Sequence, residues 1–251
     1  MLNIWQECKG DQYILPIECS AWRIVENQNQ TATRKLVDSL HEQQVLEELI
    51  ENHKPKLPEI CKDYHYLLAT PFRYPPLQQG SRFGTRYEPS IWYGSLAIET
   101  ALAEKAYYRF LLLQDSEAEY RAAPIKYSAF QIDIMTQRGT NLTYPPFSHY
   151  TATISSHHCY IDSRKLGKDM REANVNVFLF ESARCPDKGI NVGLFSPCGF
   201  KTKTPKEPFQ TWLGTVTHSY TQIEFVRTNG LFSESKQFAY ELFFDNHLLP
   251  A

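Results

Sequence analysis

The sequence has no surplus of basic charge: 26 Lys and Arg stand against 28 Asp and Glu in 251 residues, a formal net charge of −2. A nucleic-acid-binding protein ordinarily carries a marked basic excess, and polybasic segments do the same work at anionic membranes, so neither direct nucleic-acid nor membrane binding is expected. No C-x-x-C pair occurs among the six cysteines, Cys8, Cys19, Cys61, Cys159, Cys185 and Cys198, which sets aside zinc knuckles and disulfide scaffolds. No apolar run reaches the ~18 residues of a membrane span. Residues 1–30 contain Glu7, Lys9, Asp11 and Glu18, which interrupt any signal-peptide core, so a reduced, cytoplasmic setting is expected. No H-E-x-x-H pattern occurs, and His157-His158-Cys159 has no second ligand pair at zinc-like spacing, so no metal is expected. Ser182 lacks the G-x-S-x-G elbow of a hydrolase nucleophile. Walker and Rossmann glycine patterns are missing as well, so no bound nucleotide cofactor is expected.

What is present is an ordinary globular composition, 42% apolar and 22% charged, rich in rings (15 Tyr, 15 Phe, 4 Trp). Residues 33–53 read as an amphipathic helix with Leu36, Val37, Leu40, Leu46, Leu49 and Ile50 near one face, and its own core is the expected place for that face. Lys54-Pro55-Lys56-Leu57-Pro58 ends it. We place a boundary near residue 62, with a helical appendage over 1–62 and the body over 63–251. In the body, Tyr66 to Ala69 and Ser90 to Tyr93 read as short strands, Gly94-Ser95 as a turn, and residues 97–113 as a helix. Ile125 to Ile134 alternates like a strand. Ser163 to Ala173 reads as a helix, and Val175 to Phe180, Asn191 to Phe195, Thr211 to Thr217 and Ile223 to Arg227 as strands. Helices and strands are interspersed without a βαβ period, which favours α+β over a doubly wound fold.

Three segments carry residue types suited to a site. Phe72-Arg73-Tyr74-Pro75-Pro76 leads to Gly80-Ser81-Arg82-Phe83-Gly84-Thr85-Arg86, three arginines in loop-like sequence. A guanidinium grips phosphate bidentately, and the same residues equally suit a solvated surface loop. Trp92-Tyr93-Gly94-Ser95 precedes Ala101-Leu102-Ala103-Glu104, which puts Glu104 on a fairly apolar helical face with Thr100, Tyr107 and Tyr108. A carboxylate there needs a function or a partner such as Arg109 or Lys105. Phe180-Glu181-Ser182-Ala183-Arg184 follows an apolar strand and is followed by Gly189 to Phe195; Ser182 and Arg184 suit a phosphate or ribose hydroxyl, and also an ordinary strand-end turn.

Taken in order, the Arg73–Tyr74 and Arg82 stretch, Tyr93, the helix ending Ala-Leu-Ala-Glu104, Ser182-Ala183-Arg184 and the Asn191 strand resemble the RES family, named for its Arg, Glu and Ser, over about residues 66–230. Phe83-Gly84 stands where many members have Trp and Asn. The resemblance implies a mixed, mainly antiparallel sheet body like the ADP-ribosyltransferase fold. It implies a toxin that depletes NAD by phosphorolysis or hydrolysis, with NAD as substrate and inorganic phosphate as a co-substrate in the first case. It also implies an antitoxin partner with an Xre-type helix-turn-helix domain; a homo-oligomer is left open. Carried over by position, Glu104, Arg73 and Tyr93 take catalytic roles, and Arg82, Tyr74, Ser182, Arg184 and Asn191 bind substrate. The chemistry suits these residue types. The nicotinamide of NAD is a cation that leaves neutral, so no general acid is needed and a single carboxylate suffices, unlike ordinary glycoside hydrolysis. Two other readings stand beside this one: transfer of ADP-ribose to a macromolecule, for which Glu117-Ala118-Glu119 matches a Glu-x-Glu pair in letters, and a non-catalytic interaction module presenting residues 33–53.

Overall fold

The computed structural model describes residues 2–27, 36–114, 124–217, 219–229 and 231–244; Glu117-Ala118-Glu119 lies outside them. The fold is mixed α+β. Its spine is a 17-residue strand, β3 (Ile125–Asn141), and eight strands join in one sheet. β1 (Leu15–Glu26) runs antiparallel to β3 along almost its whole length, from Leu15↔Gly139 to Glu26↔Tyr127. β2 (Trp92–Ser95) meets β1 at Trp22↔Ser95 and pairs antiparallel with β5 (Ile190–Leu194). β5 pairs antiparallel with β4 (Val177–Glu181), which returns to β3 in parallel at Gly139 to Asn141. These pairings close a ring of five strands. From the other half of β3 the sheet extends antiparallel through β6 (Lys206–Val216), β7 (Gln222–Asn229) and β8 (Phe232–Ala239).

β3 serves two cores because its buried face changes along its length. Tyr127 and Ala129 pack with Leu102, Ala106, Tyr107, Phe110, Trp212 and Phe225. Phe130, Ile132 and Ile134 point the other way, into a cluster with Leu67, Leu68, Trp92, Val177 and Val192. Successive side chains of a strand alternate faces, and the change falls where the β3–β6 register shifts between Ala129 and Gln131. A third cluster gathers Phe83, Ile91, Phe147, Leu166, Met170, Phe178 and Phe180.

The described residues form six α-helices: α1 (Ile4–Glu7), α2 (Leu40–His53), α3 (Tyr66–Arg73), α4 (Ile98–Gln114), α5 (Thr151–Ile154) and α6 (Ile161–Glu172). None is long and apolar enough to cross a membrane. α4 lies against β1, β2, β5 and β8 and buries Ala101, Leu102, Ala103, Ala106 and Phe110.

Several expectations are corrected. Residues 1–62 are not a helical appendage: β1 is built into the sheet, and Ile4 and Trp5 of α1 are buried in the third cluster. The strand was hidden because its buried positions are few and small, Ile17 and Ala21 among polar neighbours. α2 does not bury its apolar face in the core; it has no buried residue, and Leu40, Val45, Leu49 and Ile50 are exposed. Tyr66 to Ala69 is the start of helix α3 rather than a strand. His65 Nδ1 accepts from Leu67 N–H at 3.3 Å at its start, and a four-residue apolar run carries no period that separates the two forms. Gly94-Ser95 lies within β2, not in a turn. A Cβ at Gly94 would stand 2.6 Å from the Trp92 ring and 2.9 Å from Trp22 O, so glycine lets β1 and β2 meet.

Candidate active site

Four elements deliver polar groups to one point. α4 presents Glu104, half-buried on the face it shares with Thr100, Tyr107 and Tyr108. The turn after β4 presents Ser182 (3% exposed), β5 presents Asn191 (4%) and β2 presents Ser95 (3%). Ser182 Oγ and Asn191 Nδ2 both donate to Glu104 Oε1 at 2.6 Å. Ser95 Oγ donates to Asn191 Oδ1 at 2.6 Å, which fixes the amide so that its N–H faces the carboxylate. Ser182 Oγ in turn accepts from the backbone N–H of Arg184 at 3.1 Å and of Cys185 at 3.0 Å, so its own proton is committed to Glu104. Hydrogen bonds to an ionised acceptor are short and strong, as these are. Glu104 Oε2 has no hydrogen-bond partner among the described residues. The turn reaches α4 this closely because residue 189 is glycine: a Cβ there would lie 1.9 Å from Thr100 Oγ1. Lys105, a neighbour on α4, pairs with Glu26 instead of Glu104, at 3.3 Å.

Tyr108, one turn along α4 from Glu104, is 59% exposed, and its phenol pKa is raised, first by desolvation and then by Glu104, Tyr160, Tyr93 and Tyr107. Tyr93, near the start of β2, has its phenol pushed up to about 12 by burial, against the lowering effect of its hydrogen bond with Ser81 Oγ (3.1 Å) and of Arg82 and Arg171. Its backbone carbonyl is held by Arg23 Nη1 of β1 at 2.8 Å, so β1 supports the site. Tyr107 is also pushed up to about 12 by burial.

The arginines divide into two groups. Arg184 is buried (4% exposed); its guanidinium lies 3.7 Å from the Tyr107 ring centroid and donates to His157 O and Tyr160 Oη at 3.1 Å each. Arg82 donates to Ser156 O at 2.7 Å and to Ile154 O at 3.2 Å, and its guanidinium lies 4.5 Å from the Tyr160 ring centroid. Arg73 belongs elsewhere: it donates to Pro55 O at 2.7 Å and pairs with Glu51 of α2 at 2.8 Å. Tyr74, 40% exposed, lines a hollow with Leu49, Ile50, His53, Lys54 and Pro55. Of the residues singled out from sequence, Glu104, Ser182 and Asn191 are joined directly, Arg184 is joined through its backbone N–H, Tyr93 bonds Ser81, and Arg82 lies over the Tyr160 ring that Arg184 also meets. Arg73 and Tyr74 are held against α2 and make no hydrogen bond to the cluster. Sequence reasoning missed Ser95, Tyr107, Tyr160 and Arg164. Tyr107 was on the correct face by its i+3 spacing from Glu104; nothing in the loop sequence around Tyr160 marks it.

A model of the family described as RES domain matches residues 56–213. Among solved structures, a chain of the M. tuberculosis MbcT–MbcA toxin–antitoxin complex is similar at a TM-score of 0.48 and 9% identity, covering 86% of this chain and 93% of that one. No curated protein matches the sequence.

Proposed function

Because the chain belongs to the RES-domain family, we propose that it cleaves the nicotinamide–ribose bond of NAD, with inorganic phosphate or water as acceptor, and is the toxin of a toxin–antitoxin pair. The observation that carries the reading is the arrangement at Glu104: one carboxylate oxygen is fixed by Ser182 and Asn191, the other has no hydrogen-bond partner among the described residues, and Tyr107 and Tyr108 follow it on α4. In the reaction the electron pair of the C1′–N bond goes to the departing ring, nicotinamide leaves neutral, and positive charge develops on the ribose. The open oxygen of Glu104 stabilises that charge or holds a ribose hydroxyl, in a preorganised site that needs no reorganisation. Tyr93 packs against the nicotinamide ring, and Arg82 and Arg184 take the anionic part of the substrate. Phosphate attack yields ADP-ribose 1″-phosphate; water attack yields ADP-ribose and releases one proton. An Xre-type helix-turn-helix antitoxin and a cytoplasmic setting go with this reading.

The test is release of nicotinamide from NAD by the purified chain, with and without phosphate. Glu104→Gln is expected to lower the rate about 10²–10³-fold, the usual consequence of removing one preorganised electrostatic group, with the melting temperature little changed. An unchanged rate removes Glu104 from the mechanism. The product formed with phosphate present identifies the acceptor.

A further inference from the structure

We propose that Arg82, Arg164 and Arg184, gathered around Tyr160, form a cradle for a phosphoryl group, with Tyr160 as its positioning residue. Tyr160 immediately precedes α6 and touches all three cations. Arg82 and Arg164 lie 4.5 and 5.6 Å from its ring centroid, and Arg184 Nη2 donates to its hydroxyl at 3.1 Å.

Three like charges around one ring repel, and a carboxylate is the usual remedy. None is supplied: among the described residues, no ion pair joins any of the three to an acidic side chain. Arg82 is satisfied by the carbonyls of Ile154 and Ser156, Arg164 by those of Ser81 and Gln79, and Arg184 by His157 and the Tyr107 and Tyr160 side chains. Asp162, in the first turn of α6, is turned to the Leu2 N–H. Arg184 is the decisive member. It is 4% exposed, and a buried cation without a counter-ion is costly unless a ligand provides one. The Tyr160 hydroxyl accepts from Arg184, which leaves its own proton for a ligand oxygen. The ligand that meets planar cations and a phenol O–H together is a phosphoryl group, gripped through its oxygens.

The cradle is tied to the carboxylate, since Arg184 N–H holds the Ser182 hydroxyl that holds Glu104. Its occupant, which rests on the NAD reading, is therefore a phosphoryl group adjoining the reacting ribose: the diphosphate of the dinucleotide or inorganic phosphate, one chemistry from two sources. Neither Tyr160 nor Arg164 is singled out by the sequence motifs. They supply around Arg82 and Arg184 the cation that Arg73, pinned to α2, does not bring.

The experiment measures binding of inorganic phosphate and of pyrophosphate, each alone, to the full chain by calorimetry, and NAD kinetics in parallel. Saturable binding is expected, weakened at least tenfold by Tyr160→Leu and only severalfold by Tyr160→Phe, which keeps the ring and drops the hydroxyl. Glu104→Gln should bind the anions as tightly as the native chain. In Tyr160→Leu, KM should rise tenfold or more with a smaller change in kcat. A rise in KM for NAD assigns the diphosphate; a rise in KM for phosphate assigns the free anion. If Tyr160→Leu does not fold, Tyr160→Phe and Arg164→Gln carry the test, and unchanged anion binding in both overturns the proposal. Failure of the native chain to bind either anion overturns it as well. Intact anion binding without NAD cleavage sinks the NAD reading and leaves the cradle standing; NAD cleavage with unchanged KM in a folded Tyr160→Leu does the reverse.

Discussion

Glu51 and Glu104 each sit on a helix with arginine in reach, and the two surroundings are opposite in kind. Glu51, on exposed α2, pairs with Arg73 at 2.8 Å and with Lys54 at 2.7 Å; both lysine and arginine hold its carboxyl below the usual range. Each carboxylate oxygen has its own cation, and the carboxylate has none left over to bind with. Glu104, half-buried on α4, is held by neutral donors, while the guanidinium groups nearby are held by carbonyls and rings. There the opposite charges are kept apart, each with capacity to spare. Stability alone favours the first arrangement. The second keeps charge of both signs near one another without an ion pair, which suits a ligand that is cationic at one end and anionic at the other, as NAD is.

The contrast is broken most severely at the support of Glu104. Asn191→Leu removes one donor from the carboxylate and strands the buried Ser95 hydroxyl, whose acceptor is lost. Leaving a buried polar group unsatisfied costs about 1–3 kcal/mol, so the melting temperature should fall clearly. NAD cleavage should fall at least tenfold even at temperatures where the variant is folded. A stable, fully active Asn191→Leu protein would show that the hydrogen-bonded geometry is incidental to the chemistry.

The opposite limb is sharpened by Arg73→Gln and Glu51→Gln, alone and together. The pair joins an exposed helix to the body, and such surface pairs contribute little, less as salt is added. A double-mutant cycle by chemical denaturation should return a small coupling that shrinks with salt. Arg73→Gln should change the turnover of NAD far less than Glu104→Gln does. A loss in Arg73→Gln matching that of Glu104→Gln would mean that the α2 contact is released during the reaction and that Arg73 works beside Glu104, as the family resemblance implies.

These two limbs also show what the sequence made legible. α4 and the central strands of the body were readable from composition, an Ala- and Leu-rich stretch from Ala101 to Ala106 on the helix and the apolar run Val177 to Phe180 in the sheet. Glu104, Ser182 and Asn191 were singled out from motif order: Ser182 and Asn191 sit at strand ends, and Glu104 lies inside α4. β1 was not, because it buries mainly small or isolated side chains and draws its stability from an eleven-pair match to β3 far along the chain. β8, with Phe232 exposed and only Phe238 buried, gave no alternation to read. The surroundings of Arg73 were hidden for a different reason: its motif position is local, but its partner, Glu51, is set by how α2 lies against the body. Tyr160 was invisible because two of the three arginines that meet it, Arg82 and Arg184, come from distant segments.

The smallest effect expected is also the most specific. Tyr107 touches Arg184 through its ring, while its buried hydroxyl has no hydrogen-bond partner among the described residues. Tyr107→Phe keeps the ring under the guanidinium and removes an unsatisfied group, so stability at neutral pH should be unchanged or slightly higher, and NAD turnover near native. The difference emerges in alkali. Burial pushes the Tyr107 phenol up to about 12, against about 10 in an unfolded chain. Below pH ~10 the group is protonated in both states and contributes no pH dependence. Between about pH 10 and 12 the unfolded chain gives up its proton while the folded one retains it, so native stability falls as pH rises through that window, by on the order of 2 kcal/mol for this group. Denaturation measured from pH 8 to 11.5 should therefore slope downward less steeply in Tyr107→Phe than in the native chain. Tyr93, also raised to about 12, leaves part of the slope in place. Identical slopes would mean that the Tyr107 hydroxyl is solvated, and that the Tyr107–Arg184 contact is open to water, where a cation is screened and holds a phosphoryl group less tightly.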